Sequence, residues 1–171
     1  MAALRPVPQP SPLWGTRLTE WGVMVALVIL LGTVFAHQTR EVRGQAELAQ
    51  IKSTLGALRT ALVIAHLESA VAGTRAKGTL VAQAQRNPFA ALQQLPANYV
   101  GLAGPEALAA LPGGRWVFDP ECSCIGYRPT EPAWLQAPEG VAAMWFRVVP
   151  SGGPLQITAQ QPYVWMGQAV D

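Results

Sequence analysis

The most prominent feature of the hydrophobic pattern is an apolar run, Trp21–Ala36, near the amino terminus. Its sixteen residues, WGVMVALVILLGTVFA, include no charged residue, and Glu20 and His37 flank the run. Sixteen residues of α-helix extend about 24 Å, which is less than the roughly 20 residues of a comfortable membrane span. We therefore expect a hydrophobic helix that spans a membrane with help from its flanking residues.

A removable secretory signal is the competing interpretation of this run. Such a signal ends in a cleavage site of small residues, and Phe35, Ala36 and His37 make a poor one. A helical pattern also continues directly beyond the run, which a removed signal does not need. The pattern favours a retained membrane helix.

A second helical pattern follows the apolar run. Apolar residues recur there at intervals of three and four and form a single stripe, at Leu48, Ile51, Leu55, Leu58, Leu62 and Ala65. No proline occurs between Thr16 and Arg86, so one helix of more than fifty residues can continue to about Ala72, where Gly73 can end it. We expect the stripe to pack against the chain's own C-terminal part. A free coiled coil is the alternative, but only three heptads are present.

The C-terminal part is richer in Pro and Gly and contains short alternating segments that are typical of strands. Asn87 and Pro88 form a helix-start signal for a short helix that Pro96 stops. Two hairpins and a final strand are predicted from the segments Arg115–Asp119, Cys124–Arg128, Met144–Val149, Leu155–Thr158 and Tyr163–Met166. The predicted fold class is α+β. Its long N-terminal helix, membrane-embedded in the first half, packs on a small antiparallel sheet of four or five strands.

Composition and charge exclude several classes of function. The chain has 171 residues, of which 50% are hydrophobic and 13% charged, enough for one small core and one membrane segment. The net charge of +2 is too small to indicate nucleic-acid binding, and no cluster of basic and aromatic residues is present. Cys122 and Cys124 provide no disulfide framework, and a bond between them would close a very small ring.

No pattern in the sequence indicates a metal, a cofactor or catalysis. The two cysteines with His37 and His66 lack the paired spacing of a zinc site, and the acidic residues near Asp119 are scattered between prolines. There is no phosphate-binding glycine motif and no nucleophile with a nearby base. A membrane-anchored enzyme is the remaining class, but the sequence offers no candidate residues for it. We therefore expect no metal, no cofactor and no enzymatic activity.

The residues around the start of the apolar run resemble the prepilin signature of the type IV pilin and type II secretion pseudopilin family. The segment Trp14–Trp21, WGTRLTEW, has a glycine that would end a short leader, and Glu20 is the fifth residue after Gly15. In that family cleavage follows the glycine, and the fifth mature residue is a glutamate at the head of a hydrophobic helix. The later segments NPFAALQQLPANYVG and GRWVFDPECSCIGYRP are similar to minor pseudopilins or accessory pilins of the type II secretion or mannose-sensitive haemagglutinin pilus kind.

The resemblance implies a mechanism of assembly. A prepilin peptidase would cut between Gly15 and Thr16 and methylate the new amino terminus. The amine of Thr16 would then approach Glu20 of a neighbouring subunit, and the pair would select the correct stagger because both charges lose water among apolar helices. Packing against equivalent helices would use one set of apolar residues, namely Val23, Leu27, Leu30, Leu31 and Phe35.

The expected organisation follows from the resemblance. Residues 1–15 are a leader peptide, 16–36 the membrane and assembly helix, 37–72 its amphipathic continuation, and 73–171 a small periplasmic α+β domain. Basic residues lie on both sides of the membrane segment, so the inner-membrane orientation rests on the resemblance alone.

The expected function is that of a structural subunit of a type IV pilus or type II secretion pseudopilus. Its expected partners are other pilin-like subunits, the prepilin peptidase and an inner-membrane assembly platform. The alternative is an uncleaved single-pass accessory protein whose periplasmic domain docks another component of an envelope machine.

Overall fold

The computed structural model describes residues 13–71, 87–138, 142–150 and 154–170. A single helix, α1, runs from Leu13 to Val71, and it is followed by a domain of short strands. This arrangement confirms the α+β class with a long apolar N-terminal helix. The chain divides after Arg43 into two units, so the second half of α1 belongs with the strand domain. The predicted helix end at Gly73 lies outside the described residues.

A five-stranded sheet forms the centre of the second unit. Its strands lie in the order β1-β2-β3-β5-β6, with bounds Tyr99–Leu102, Arg115–Asp119, Cys124–Arg128, Met144–Val149 and Gln156–Ala159. The predicted hairpin of β2 and β3 is confirmed, with Arg115 opposite Arg128 and Asp119 opposite Cys124. The second predicted hairpin pairs β5 with β6, and β6 begins one residue later than its predicted strand.

The sheet is mixed rather than purely antiparallel, because β1 pairs with β2 in parallel. A short helix, α2 (Pro105–Ala110), connects these two strands. Two parallel strands need a crossover connection of this kind, whereas two strands joined by a hairpin turn are antiparallel. Strand β1 was not predicted, because its four residues include Gly101 and lack a clear alternation.

A second, three-stranded sheet contains the last predicted strand. It consists of β4 (Leu135–Gln136), β7 (Tyr163–Trp165) and β8 (Gln168–Val170), in the order β4-β7-β8. Met166 and Gly167 both have positive φ angles, of 47° and 83°. That backbone conformation forms the two-residue turn that tight hairpins prefer, so the chain reverses directly after Trp165. The prediction that Tyr163–Met166 belongs to one common sheet was wrong.

The short helix at Asn87 is smaller than its sequence pattern indicates. It is a 3-10 helix, Pro88–Ala91, and the Asn87 side chain accepts a hydrogen bond from the Phe89 amide at 3.1 Å. The cap is therefore present, but the helix ends before Leu92 and Leu95, whereas the pattern predicts that it continues through both. A second 3-10 helix, Pro132–Trp134, precedes β4.

The core of the second unit lies between α1 and one face of the five-stranded sheet. Apolar residues of the helix stripe share one buried cluster with aromatic residues of the sheet, among them Trp116, Phe118, Tyr127 and Phe146. The opposite face has a smaller cluster, in which Leu108 of α2 packs on Val117, Cys124 and Trp145. Because a sheet of this size must bury a face, the helix stripe supplies the main cover.

Candidate assembly site on the N-terminal helix

The first half of α1 exposes large apolar side chains in every direction. From Leu18 to Phe35 these side chains are between 51% and 75% exposed. An 18-residue window in the helix has a mean hydropathy of 2.0, and none of it is buried. A helix that is apolar on all sides is stable only in apolar surroundings. By length and composition, this helix is suited to cross a membrane.

The predicted assembly residues lie along one side of this segment. Successive residues of an α-helix are rotated by about 100° around its axis. The predicted assembly residues therefore all lie within about 80° of Leu27. The set consists of Val23, Leu27, Leu30, Leu31 and Phe35, and all five are more than half exposed. These residues form a continuous apolar face, which we call the assembly face.

Glu20 belongs to the same side of the helix as the assembly face. It precedes Leu27 by seven residues, a rotation that returns to within about 20° of the same direction. Its side chain is exposed. A carboxylate at the edge of an apolar helix is costly to place in lipid and favours a position beside a partner. One face of α1 therefore combines a charge at its start with an apolar surface behind it.

The threonines of the apolar segment and its flank satisfy their hydroxyl groups within the helix. Thr33 donates a hydrogen bond to the Leu30 carbonyl at 2.8 Å, and Thr39 donates one to the Phe35 carbonyl at 2.8 Å. A hydroxyl in apolar surroundings needs such a local partner because no water is available. These residues are therefore compatible with an apolar environment.

The predicted processing residues lie in the first turn of α1. The helix begins at Leu13, so the backbones of Gly15 and Thr16 are both helical. The remainder of the predicted leader, residues 1–12, lies outside the described residues. Cleavage after Gly15 stays a prediction.

The residues predicted to form the helix packing face lie in the core of the second unit. Leu48, Ile51, Leu55, Leu58 and Leu62 are each at most 5% exposed. All five belong to the cluster that also holds the sheet aromatics. The same helix thus carries a buried stripe in its second half, whereas the apolar residues of its first half are exposed.

The buried stripe begins one turn earlier than its apolar pattern indicates, at Gly44. The Trp165 indole donates a hydrogen bond from Nε1 to the Gly44 carbonyl at 2.9 Å. A Cβ atom at Gly44 would collide with the Met166 sulfur and lie 3.3 Å from the Trp134 ring. The missing side chain therefore lets two tryptophans approach the helix backbone.

Glu47 makes two polar contacts between the helix and the strand domain. Its Oε1 atom accepts hydrogen bonds from the Tyr127 hydroxyl at 2.7 Å and from the Thr130 amide at 2.8 Å. Burial raises the pKa of Tyr127 strongly, and the hydrogen bond to Glu47 and its negative charge raise that pKa further. Tyr127 consequently stays protonated and continues to donate to the carboxylate.

Sequence reasoning missed both of these residues. Gly44 precedes Leu48 by four residues and Glu47 precedes Ile51 by four, so both extend the stripe at helical spacing. A glycine and a glutamate do not contribute to an apolar pattern, so the periodicity does not indicate them. Their partners are distant in sequence, 121 residues away for Gly44 and 80 for the bond of Glu47 to Tyr127.

The strand domain contains one disulfide bond, between Cys122 and Cys124. No group of three or more His, Cys, Asp or Glu side chains within the described ranges is arranged to hold a metal ion. Asp119 is a buried acidic residue, and its carboxylate accepts a hydrogen bond from the Glu121 amide at 2.9 Å within the turn before Cys122.

No protein-family model, no curated protein and no solved structure matches this chain. The class of the protein is therefore defined by architecture. A long apolar N-terminal helix whose second half packs on a small mixed sheet is a pilin-like arrangement.

Proposed function

We propose that this protein is a structural assembly subunit of a type IV pilus or a type II secretion pseudopilus. In this proposal the chain is inserted in the inner membrane, cleaved after Gly15, and polymerised through the first half of α1. The strand domain lies in the periplasm. The partners are other pilin-like subunits, the prepilin peptidase and an inner-membrane assembly platform.

The observation that carries the proposal is the contrast between the two halves of α1. Leu55, in the second half, is completely buried against the sheet, whereas Leu27, in the first half, is 51% exposed. The domain needs only the second half of the helix for its core. The exposed first half is suited to lipid before assembly and to equivalent helices afterwards.

Glu20 has a specific role in the proposed assembly. Cleavage after Gly15 would create a charged amine on Thr16, and Glu20 lies on the same side of the helix as the assembly face. An amine from one subunit and the carboxylate of its neighbour would pair only at one stagger of the two helices. Any other stagger leaves an unpaired charge among apolar side chains, which is strongly unfavourable.

Site-specific photo-crosslinking in membranes tests the proposal. A photoreactive residue at Leu27 is expected to capture another pilin-like subunit, because Leu27 is central to the assembly face. The matched control is Ile29, which is 61% exposed and lies about 200° around the helix from Leu27. We expect fewer subunit crosslinks from Ile29 than from Leu27.

The dependence on Glu20 makes the experiment specific. Glu20→Ala should reduce the Leu27 crosslinks, while the amount of protein in the membrane stays the same. Crosslinks to lipid alone from both positions would contradict polymerisation through this helix. Such a result would support the uncleaved single-pass accessory protein.

A further inference from the structure

The Cys122–Cys124 disulfide lies in the turn between β2 and β3. Cys122 is exposed in the turn, whereas Cys124 is the first residue of β3 and is completely buried. The two sulfurs therefore differ in access. A reagent in solution reaches the Cys122 side of the bond first.

The disulfide adds little constraint to the fold. Its cysteines are only two residues apart, and β2 already pairs with β3 up to Asp119 and Cys124. The turn is also held by the Val148 amide, which donates to the Ser123 carbonyl at 3.1 Å. Because the stabilisation by a crosslink decreases as the closed loop shortens, this bond contributes far less than one that closes a long loop.

Polar partners for the two reduced thiols are already in place around the bond. The Gln160 side chain donates from Nε2 to Cys124 Sγ at 2.8 Å. The Cys122 carbonyl is 3.2 Å from Cys124 Sγ, and Asp119 Oδ2 is 3.6 Å from Cys122 Sγ. A thiol can donate to the carbonyl and the carboxylate, which a disulfide sulfur cannot do, and a thiolate on Cys124 accepts more strongly from the Gln160 amide than a disulfide sulfur does. The surroundings therefore stabilise the reduced form, as in disulfides that act as oxidants.

We propose that the Cys122–Cys124 pair is a thiol–disulfide exchange site that reacts with small thiols of the glutathione class. In the first step a thiolate attacks Cys122 Sγ, the bond between the two cysteines breaks, and its electron pair leaves on Cys124 Sγ. In the second step another thiolate attacks the sulfur of the bound thiol and releases Cys122. Two small thiols are oxidised to one disulfide, and the protein pair is reduced to two thiols.

The surroundings define the direction of the first step. The Asp119 carboxylate is close to Cys122 and opposes negative charge on that sulfur. The Gln160 amide points a donor at Cys124 and stabilises negative charge there. Exposure thus assigns Cys122 as the attacked sulfur, and the Gln160 donor assigns Cys124 as the leaving group.

A redox titration of the full-length protein in detergent tests the proposal. The protein is equilibrated with mixtures of reduced and oxidised glutathione, its thiols are alkylated, and the reduced fraction is measured by mass spectrometry. We expect half reduction within the range of glutathione buffers, where stable structural disulfides stay oxidised. A pair that stays fully oxidised across these buffers would overturn the proposal.

The role of Gln160 is tested by substitution. Gln160→Leu removes the donor to Cys124. Half reduction should then need a mixture of reduced and oxidised glutathione that is about tenfold more reducing, because one hydrogen bond is lost. The matched control is Gln168→Leu, an exposed glutamine on β8, which should leave the ratio unchanged. Equal behaviour of the two variants would exclude a role for the Gln160 contact.

Single-cysteine variants test the direction of attack. Cys124→Ser leaves the exposed Cys122 and should accumulate a glutathione adduct when oxidised glutathione is added. Cys122→Ser leaves the buried Cys124 and should react at least tenfold more slowly, because access limits exchange. Faster reaction of Cys124 would reverse the assignment and contradict the proposed site.

Discussion

The hydrogen bond between Tyr127 and Glu47 predicts how stability changes at alkaline pH. Tyr127 is almost completely buried, at 2% exposure, and donates to the Glu47 carboxylate at 2.7 Å. Both burial and the adjacent negative charge raise the pKa of Tyr127 above its ordinary value near 10. The folded protein therefore holds the tyrosine proton at a pH at which the unfolded chain has lost it.

The sign of the effect follows from the number of bound protons. Below pH 10 both states hold the proton, and the full stabilisation is present. Above pH 10 the unfolded state holds fewer protons than the folded state, so the free energy of unfolding falls as pH rises. For one tyrosine the loss reaches about 1 kcal/mol at pH 11, after allowance for solvent screening at the half-buried Glu47.

Tyr127→Phe removes this dependence. At pH 7 the substitution should lower the free energy of unfolding by about 1 to 2 kcal/mol, because a hydrogen bond to a partly exposed carboxylate is lost. Between pH 9 and 11 the variant should lose about 1 kcal/mol less stability than the original protein. Its stability curve should therefore converge on that of the original protein as pH rises.

The assay is guanidinium unfolding of the full chain in a mild detergent, at a series of pH values. Near-ultraviolet circular dichroism of the buried Trp116 and Trp165 reports loss of the strand domain. Tyr99→Phe is the comparison, because burial raises the pKa of Tyr99 while the hydrogen bond from Asn87 lowers it. That substitution should change the alkaline slope less. Equal slopes for Tyr127→Phe and the original protein would refute the reasoning.

Four further substitutions test the two halves of the helix. Leu55→Ala should lower the free energy of unfolding by about 2 to 5 kcal/mol in guanidinium titrations, whereas Ile64→Ala, at a half-exposed position, should cost less than about 1 kcal/mol. Gly44→Leu should lower the free energy of unfolding by about 1 to 3 kcal/mol, because the added side chain collides with the Met166 sulfur and crowds the Trp134 ring. Glu20→Ala should leave the free energy of unfolding unchanged. It should lower the amount of assembled subunit, measured by sedimentation of filaments.

The elements with strong periodicity could be predicted from sequence. The stripe from Leu48 to Leu62 repeats at the helical interval, and it lies buried in the core. The β2–β3 hairpin could also be predicted, because its strands alternate and a proline-containing turn separates them. Both patterns depend on neighbours that are close in sequence.

The remaining elements depend on contacts that a local pattern does not contain. Strand β4 has only two residues, and it exists because Leu135 pairs with Trp165. Strand β1 pairs with β2 in parallel because α2 carries the chain across. The contact of Gly44 with Trp165 joins residues 121 positions apart. Such pairings are decided by packing in three dimensions.

The two proposed sites differ in the same way. Glu20 and the assembly face are predictions from the sequence, because a carboxylate before an uncharged run is distinctive by position. The surroundings of the Cys122–Cys124 disulfide could not be predicted. Gln160, which donates to Cys124 Sγ, directly follows β6 and lies 36 residues after Cys124 in the chain. Only the fold places that amide beside the sulfur.

The most direct test of the proposed function is the mass of the amino terminus of the protein isolated from membranes, with and without a prepilin peptidase in the cells. We predict a mature chain that begins at a methylated Thr16 and that appears only when the peptidase is present. An intact amino terminus at Met1 in both cases, or a cut near His37, would contradict assembly as a processed pilin-like subunit.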